Sequence, residues 1–149
     1  MSRIMAIDYG AKRTGIAVTD PLQIIAGGLT TVKSHELMNF LKEYIAKEDV
    51  ESIVVGMPMT LKGTLSENAG RTSRFIAEFV KAFPEIPVIT YDERFTSSLA
   101  HRTMIDSGIG RKARQNKSLV DEISATIILQ SYMEEKRRET KDKKQKLIY

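Results

Sequence analysis

The chain has no cysteine, only two histidines, and no apolar run that approaches the ~20 residues needed to cross a bilayer. Without cysteine there is no disulfide and no thiolate metal site, a composition compatible with a reducing compartment. His35 and His101 have no partnered spacing, so no nitrogen-rich metal site is written into the sequence either. A charged fraction of 28% argues against a membrane protein, and the stretch before Asp8 does not read as a signal peptide. Internal repeats and a Walker A loop are also missing. The expectation is a cytoplasmic protein of 149 residues without membrane association, built on one domain over residues 1–138 with a basic tail at 139–149.

What is present begins with unevenly placed charge. Residues 136–149 carry seven Lys/Arg against Glu139 and Asp142, a net +5 in a chain of net +4, so the remainder carries −1. Such a tail reads as a solvated, fraying end or as an arm that attracts a polyanion. A second cluster, GIGRKARQNK at 108–117, holds Arg111, Lys112, Arg114 and Lys117 with no acid among them. Its glycines make it a loop rather than a helix face.

Hydrophobic periodicity predicts five strands. Residues 3–9 and the stretch TGIAVTD form an antiparallel hairpin, and IIAGGLTTV is a third strand in which Gly27-Gly28 marks a bulge or a close approach. Ser34 is expected to cap a helix with Leu37, Phe40, Leu41, Tyr44 and Ile45 on its inner face. SIVVGMP is a buried strand. A second helix, ENAGRTSRFIAEFVKAF, would bury Phe75, Ile76, Phe79 and Val80. PVITYDE is the fifth strand, a short helical pattern covers 97–106, and a strong helix runs from Ser118 to about Arg138. A meander followed by strand–helix alternation gives an α/β fold. Right-handed crossovers then set a five-stranded mixed sheet of order 3-2-1-4-5, with strand two antiparallel and helices on both faces.

That order brings three acidic segments to one edge, outside the C-terminal ends of parallel strands one, four and five. Asp8 ends an apolar strand, where an uncompensated carboxylate is costly. Asp92 and Glu93 end strand five and point to opposite faces, either one able to approach Asp8. Asp121 opens the last helix with Ser124, Ala125 and Ile128 at its i+3, i+4 and i+7 positions, an inward-looking face. Read singly, Asp121 is equally a capping-box partner of Ser118. Converging acids repel one another unless a cation intervenes, and hard Mg²⁺ or Mn²⁺ suits carboxylate oxygen. Two such ions can flank a phosphate. Lys12, Arg13, Arg94 and the loop cations Arg111, Lys112, Arg114 and Lys117 would hold a phosphodiester backbone around them.

The segments DYGAKRTGIAVTD, VGMPMTLKG, DERFTS and KSLVDEISATIILQSYM together resemble the YqgF/RuvX family, in order and from end to end of the folded part. The resemblance implies a ribonuclease H-like fold and nuclease activity. Members are described as Holliday junction resolvase-like proteins and as nucleases that mature the 5′ end of the small-subunit ribosomal RNA precursor. By motif, Asp8, Glu93 and Asp121 would be the catalytic acids and the metal ligands. The implied partners are structured RNA or branched DNA and pre-ribosomal particles, with a homodimer suited to cutting two symmetric strands. The competing reading is a non-catalytic nucleic-acid-binding or ribosome-assembly module of the same fold. DYGAKRTG also resembles the first phosphate loop of actin-like ATPases, but that fold needs two lobes and this chain supplies one.

Overall fold

Ile4 to Ile7, an unbroken apolar run, sits on the middle strand of the sheet with every side chain buried. The structure, a computed structural model, describes residues 2–58, 67–92 and 117–148. Its strands are β1 (Arg3–Asp8), β2 (Arg13–Thr19), β3 (Ala26–Lys33), β4 (Val50–Met57) and β5 (Val88–Asp92). Helices α1 (Leu37–Lys47), α2 (Glu67–Ala82) and α3 (Lys117–Ile148) complete the described elements, with a 3-10 turn at Ser34–Glu36 ahead of α1. The sheet order is β3-β2-β1-β4-β5. β2 runs antiparallel to β1 and β3, whereas β1, β4 and β5 are parallel. The expected topology is the observed one.

Strand alternation divides the core into two layers. Met5, Ile7, Ile16, Ile53 and Val55 face α1 and α2, where Leu37, Leu41, Phe75 and Phe79 close over them. Ile4, Ala6, Ala17 and Val54 face α3 and meet Ala125, Ile128, Leu129 and Met133. Alanines on the sheet let α3 lie close to it. At Gly28 a Cβ would stand 3.4 Å from the Thr126 hydroxyl oxygen. The β2–β3 register also slips between Ile16 and Ala17, leaving Leu29 as the extra residue. The glycine pair therefore marks both a bulge and a close approach.

Four local expectations change. Ser34 does not cap: Lys33 precedes the 3-10 turn without a side-chain cap, and the Ser34 hydroxyl turns back to the β1–β2 connection instead. Val80 is 45% exposed, and Phe83 packs against the core where Val80 was expected. α3 already includes Lys117, so Ser118 lies within its first turn rather than ahead of it. The helix also runs on to Ile148 instead of ending near Arg138. Met133 is the last buried residue of α3 among the described side chains, and residues 134–140 are exposed. Spacing explains the continuation, since Glu134 precedes Arg138 by four residues and Glu139 precedes Lys143 by four. Among the described residues no helix is long and apolar enough to cross a membrane.

Candidate active site

Asp8 ends β1, half-buried, on the α3 side of the sheet, because it continues the alternation of Ile4 and Ala6. Its antiparallel partner is Gly15. A side chain at Gly15 would share that face, but there is none, and the first turns of α3 fill the space. A Cβ built on Gly15 would run into the Asp121 carbonyl and stand 3.0 Å from the Asp121 Cβ. Directly paired antiparallel residues hold their Cβ positions about 5 Å apart. The Cβ atoms of Asp8 and Asp121 therefore lie no more than about 8 Å from each other. One missing side chain brings two carboxylates from opposite ends of the chain to one rim.

Asp121 is seated as its helical neighbours predict, with Ala125 and Ile128 fully buried beneath it. Its Oδ2 accepts a hydrogen bond from Arg13 Nε at 3.2 Å, across 108 residues of sequence. Arg13 opens β2 on a tightly held turn. Ser34 N–H donates to the Lys12 carbonyl at 2.9 Å, and the Ser34 hydroxyl donates to the Gly10 carbonyl. That leaves the Thr14 hydroxyl, 2.9 Å away, to donate to Ser34 Oγ. A Cβ on Gly10 would collide with the Arg13 carbonyl, so the turn needs glycine there. Lys12 stands exposed beside this clamp.

The edge also separates the two acids of strand five. Tyr91 faces α3, where its hydroxyl donates to Glu135 Oε1 at 3.1 Å, so Asp92 turns to the opposite layer. Glu93, Arg94, Arg111, Lys112 and Arg114 lie outside the described residues, as do His101 and the helical pattern expected at 97–106. Lys117 begins α3. Among the described residues no three His, Cys, Asp or Glu side chains are grouped as a metal site. The described donors are the carboxylates of Asp8 and Asp121, hard oxygen ligands that fit Mg²⁺ or Mn²⁺ and suit a thiophilic metal poorly.

Sequence reading singled out Lys12 and Arg13 but not Lys33, Arg71 and Arg74, which line the two grooves beside this rim. An open groove of about 650 Å³ is lined by Lys12, Arg13, Lys33 and His35. Its neighbour, about 500 Å³, shares His35 and adds Arg71 and Arg74 from α2. Only the 71/74 spacing on an amphipathic helix was a signal in the sequence. Asn68, in the first turn of α2, donates from Nδ2 to the Tyr9 carbonyl at 3.1 Å. Its Oδ1 is buried without a hydrogen-bond partner among the described residues.

Known proteins share this fold. Solved structures with the same fold include one described as "T. thermophilus RuvC in complex with Holliday junction substrate", with TM-score 0.55 and 17% identity over 89% of this chain and 96% of that one. A fowlpox virus resolvase bound to Holliday junction DNA gives TM-score 0.56 and 16% identity over 89% and 97%. Both likenesses place the sheet and its helices in the ribonuclease H-like fold. Relatives are closer in sequence. A Bacteroides thetaiotaomicron protein named "Putative pre-16S rRNA nuclease" is 61% identical over 137 residues, 92% of this chain and 99% of its own length. A protein of the same name from Flavobacterium johnsoniae is 56% identical over 92% of this chain and 99% of its own length. The profile of the family described as "RuvX: Holliday junction resolvase" matches residues 2–135, from β1 into the exposed part of α3, and the chain belongs to that family.

Proposed function

We propose that the protein is a divalent-metal-dependent nuclease that hydrolyses phosphodiester bonds of structured nucleic acid. Its favoured substrate is the 5′ end of the small-subunit ribosomal RNA precursor in the cytoplasm, with branched DNA as the second. The observation that carries this reading is the meeting of Asp8 and Asp121 across Gly15 on one rim, in a RuvX-family chain. Glu93 is the third acid in this proposal. Tyr91 is on the acid face and Asp92 on the other, which counts against Asp92 in that role.

Mg²⁺ or Mn²⁺ held by Asp8, Glu93 and Asp121 would supply the charge that activates water and stabilises the leaving oxygen, a task that suits a pair of ions. The protein's own groups orient and bind. Asp8 and Asp121 fix where positive charge and an attacking water can sit, since both project from rigid elements. Arg13, held beside Asp121, can bind a non-bridging phosphate oxygen through its remaining N–H groups. Lys12, Arg94 and the cations Arg111, Lys112, Arg114 and Lys117 grip the flanking backbone without reading sequence. The basic residues from 139 onward form an arm beyond a nuclease domain of residues 1–138, adding long-range attraction to pre-ribosomal particles. Cutting both strands of a junction would call for a homodimer, whereas trimming one RNA end needs a single copy.

The Arg13–Asp121 pair is the one feature that suits the non-catalytic alternative, because it gives Asp121 a structural partner. Mutagenesis separates the two readings. Asp8→Asn and Asp121→Asn should each abolish cleavage of a precursor-like RNA and of a four-way junction in Mg²⁺ or Mn²⁺, while binding in chelator persists. Wild-type cleavage by Asp121→Asn would reduce that acid to the partner of Arg13.

A further inference from the structure

The rim has a second side. Asp8 faces α3, and Tyr9, the next residue, faces α2, where its ring stacks on Phe75 with centroids 5.3 Å apart and planes 13° from parallel. Tyr9 and Phe75 line the groove of about 500 Å³ together with His35, Arg71, Arg74 and Glu78. The α2 residues among these fall at positions i, i+3, i+4 and i+7, one stripe of a helix. Phe75 is buried at the base of the stripe, while Arg71 and Arg74 are exposed.

Three features of this groove are unusual for a bland surface. Two arginines stand three residues apart on one stripe, a repulsive placement, and neither is ion-paired with a carboxylate among the described residues. The exposed cations line the same groove as an aromatic pair. Asn68 also ties the Tyr9 carbonyl to α2, which holds Tyr9 in place. Arg74 Nε donates to the Gly70 carbonyl at 3.3 Å, within its own helix. Volume, aromatic ring and guanidinium groups without a carboxylate partner among the described residues match an unpaired nucleotide: the ring offers a stacking surface and the arginines bind phosphate. Glu78 opposes a phosphate on its own side of the groove, yet its carboxylate can accept hydrogen bonds from the exocyclic amine of a base.

We propose that this groove is a subsite for one unpaired nucleotide flanking the bond that is cut. The inference rests on the nuclease reading and deepens it. A strand that crosses the rim leaves one phosphate at the Asp8 side and delivers the neighbouring nucleotide to the Tyr9 side, because Asp8 ends β1 facing α3 and Tyr9, just past the strand, packs on Phe75 of α2. The enzyme therefore favours substrates with a single-stranded flank next to the duplex over blunt duplex.

The test is binding in chelator, so that cleavage plays no part. Two labelled RNA hairpins of equal stem are compared, one blunt and one with a five-nucleotide single-stranded flank. Loss of a single stacked base is on the order of 10-fold in affinity. Tyr9→Leu and the double variant Arg71→Gln/Arg74→Gln should each weaken the flanked hairpin about that much and leave the blunt one unchanged. Tyr9→Phe, which keeps the stacking surface, should bind as wild type. If Tyr9→Leu fails to fold, the surface arginine variant decides alone. Equal losses on both hairpins would reduce the groove to a general cationic patch and overturn the subsite, and so would no loss on either. Displacement of the flank by an acidic peptide at lower concentration than by a mononucleotide would assign the groove to a protein partner and equally overturn it. Cleavage by wild type in Mg²⁺ is scored separately. Cleavage without flank discrimination defeats the subsite alone, and discrimination without cleavage defeats the nuclease reading alone.

Discussion

Gly15→Ala is the sharpest perturbation this architecture offers. One methyl group would point from β2 directly into the Asp121 backbone, where the nearest atoms are the helix carbonyl and Cβ rather than the end of a flexible side chain. The Asp121 carbonyl must retreat by more than about 1 Å to reach ordinary van der Waals separation. Over-packing of this kind costs about 1–3 kcal/mol. For a chain of this size that lowers the melting temperature by roughly 5 °C. The functional cost should be larger. A displacement of about 1 Å at a reacting centre lowers rates by on the order of 100-fold. The assay is single-turnover cleavage of a hairpin RNA in Mn²⁺ alongside a thermal melt. Gly70→Ala is the control, since a Cβ there meets nothing within 4 Å and lies inside α2. It should raise stability by about 0.5–1 kcal/mol and leave cleavage untouched. Wild-type melting and cleavage in Gly15→Ala would mean that α3 does not press on β2 at Asp8. A lowered melting temperature with unchanged cleavage would break the link between that seat and catalysis.

Two further outcomes are expected. Removing two charges with Arg111→Ala/Lys112→Ala should weaken nucleic-acid binding and flatten the log–log salt slope by about 1.5, and an unchanged slope would remove those residues from the interface. At high pH the fold should lose stability. Burial raises Tyr44, Tyr91 and Tyr132 above the ordinary tyrosine value, and for Tyr91 the hydrogen bond to Glu135 adds to it. Because the unfolded chain ionises first, this stability is full below about pH 10 and drains as pH rises through the folded values. Urea melts between pH 8 and 11 follow it; Tyr91→Phe should lessen the alkaline loss, and an unchanged pH dependence would clear Tyr91 of any part in it.

Much of this protein was determined by local periodicity. An apolar β1 with burial on both faces, a meander followed by crossovers, and an acid on the inner stripe of the last helix suffice to order the strands and bring Asp8 and Asp121 to one edge. These are period-two and period-3.6 patterns, carried by neighbouring residues whatever the rest of the chain does. Tertiary structure decided what depends on register and close approach. Gly15 is a turn-flanking glycine in the sequence and becomes the seat of Asp121 only because α3 crosses β2 there. Arg13 finds Asp121 across 108 residues, and Ser34 abandons a helix cap for the Gly10 turn. Tyr9 and the α2 arginines share a groove because the β1 layer facing α2 happens to end beside them. No local pattern encodes such meetings, since each requires two surfaces whose relative position exists only once the sheet has closed its hydrogen bonds and the helices have packed.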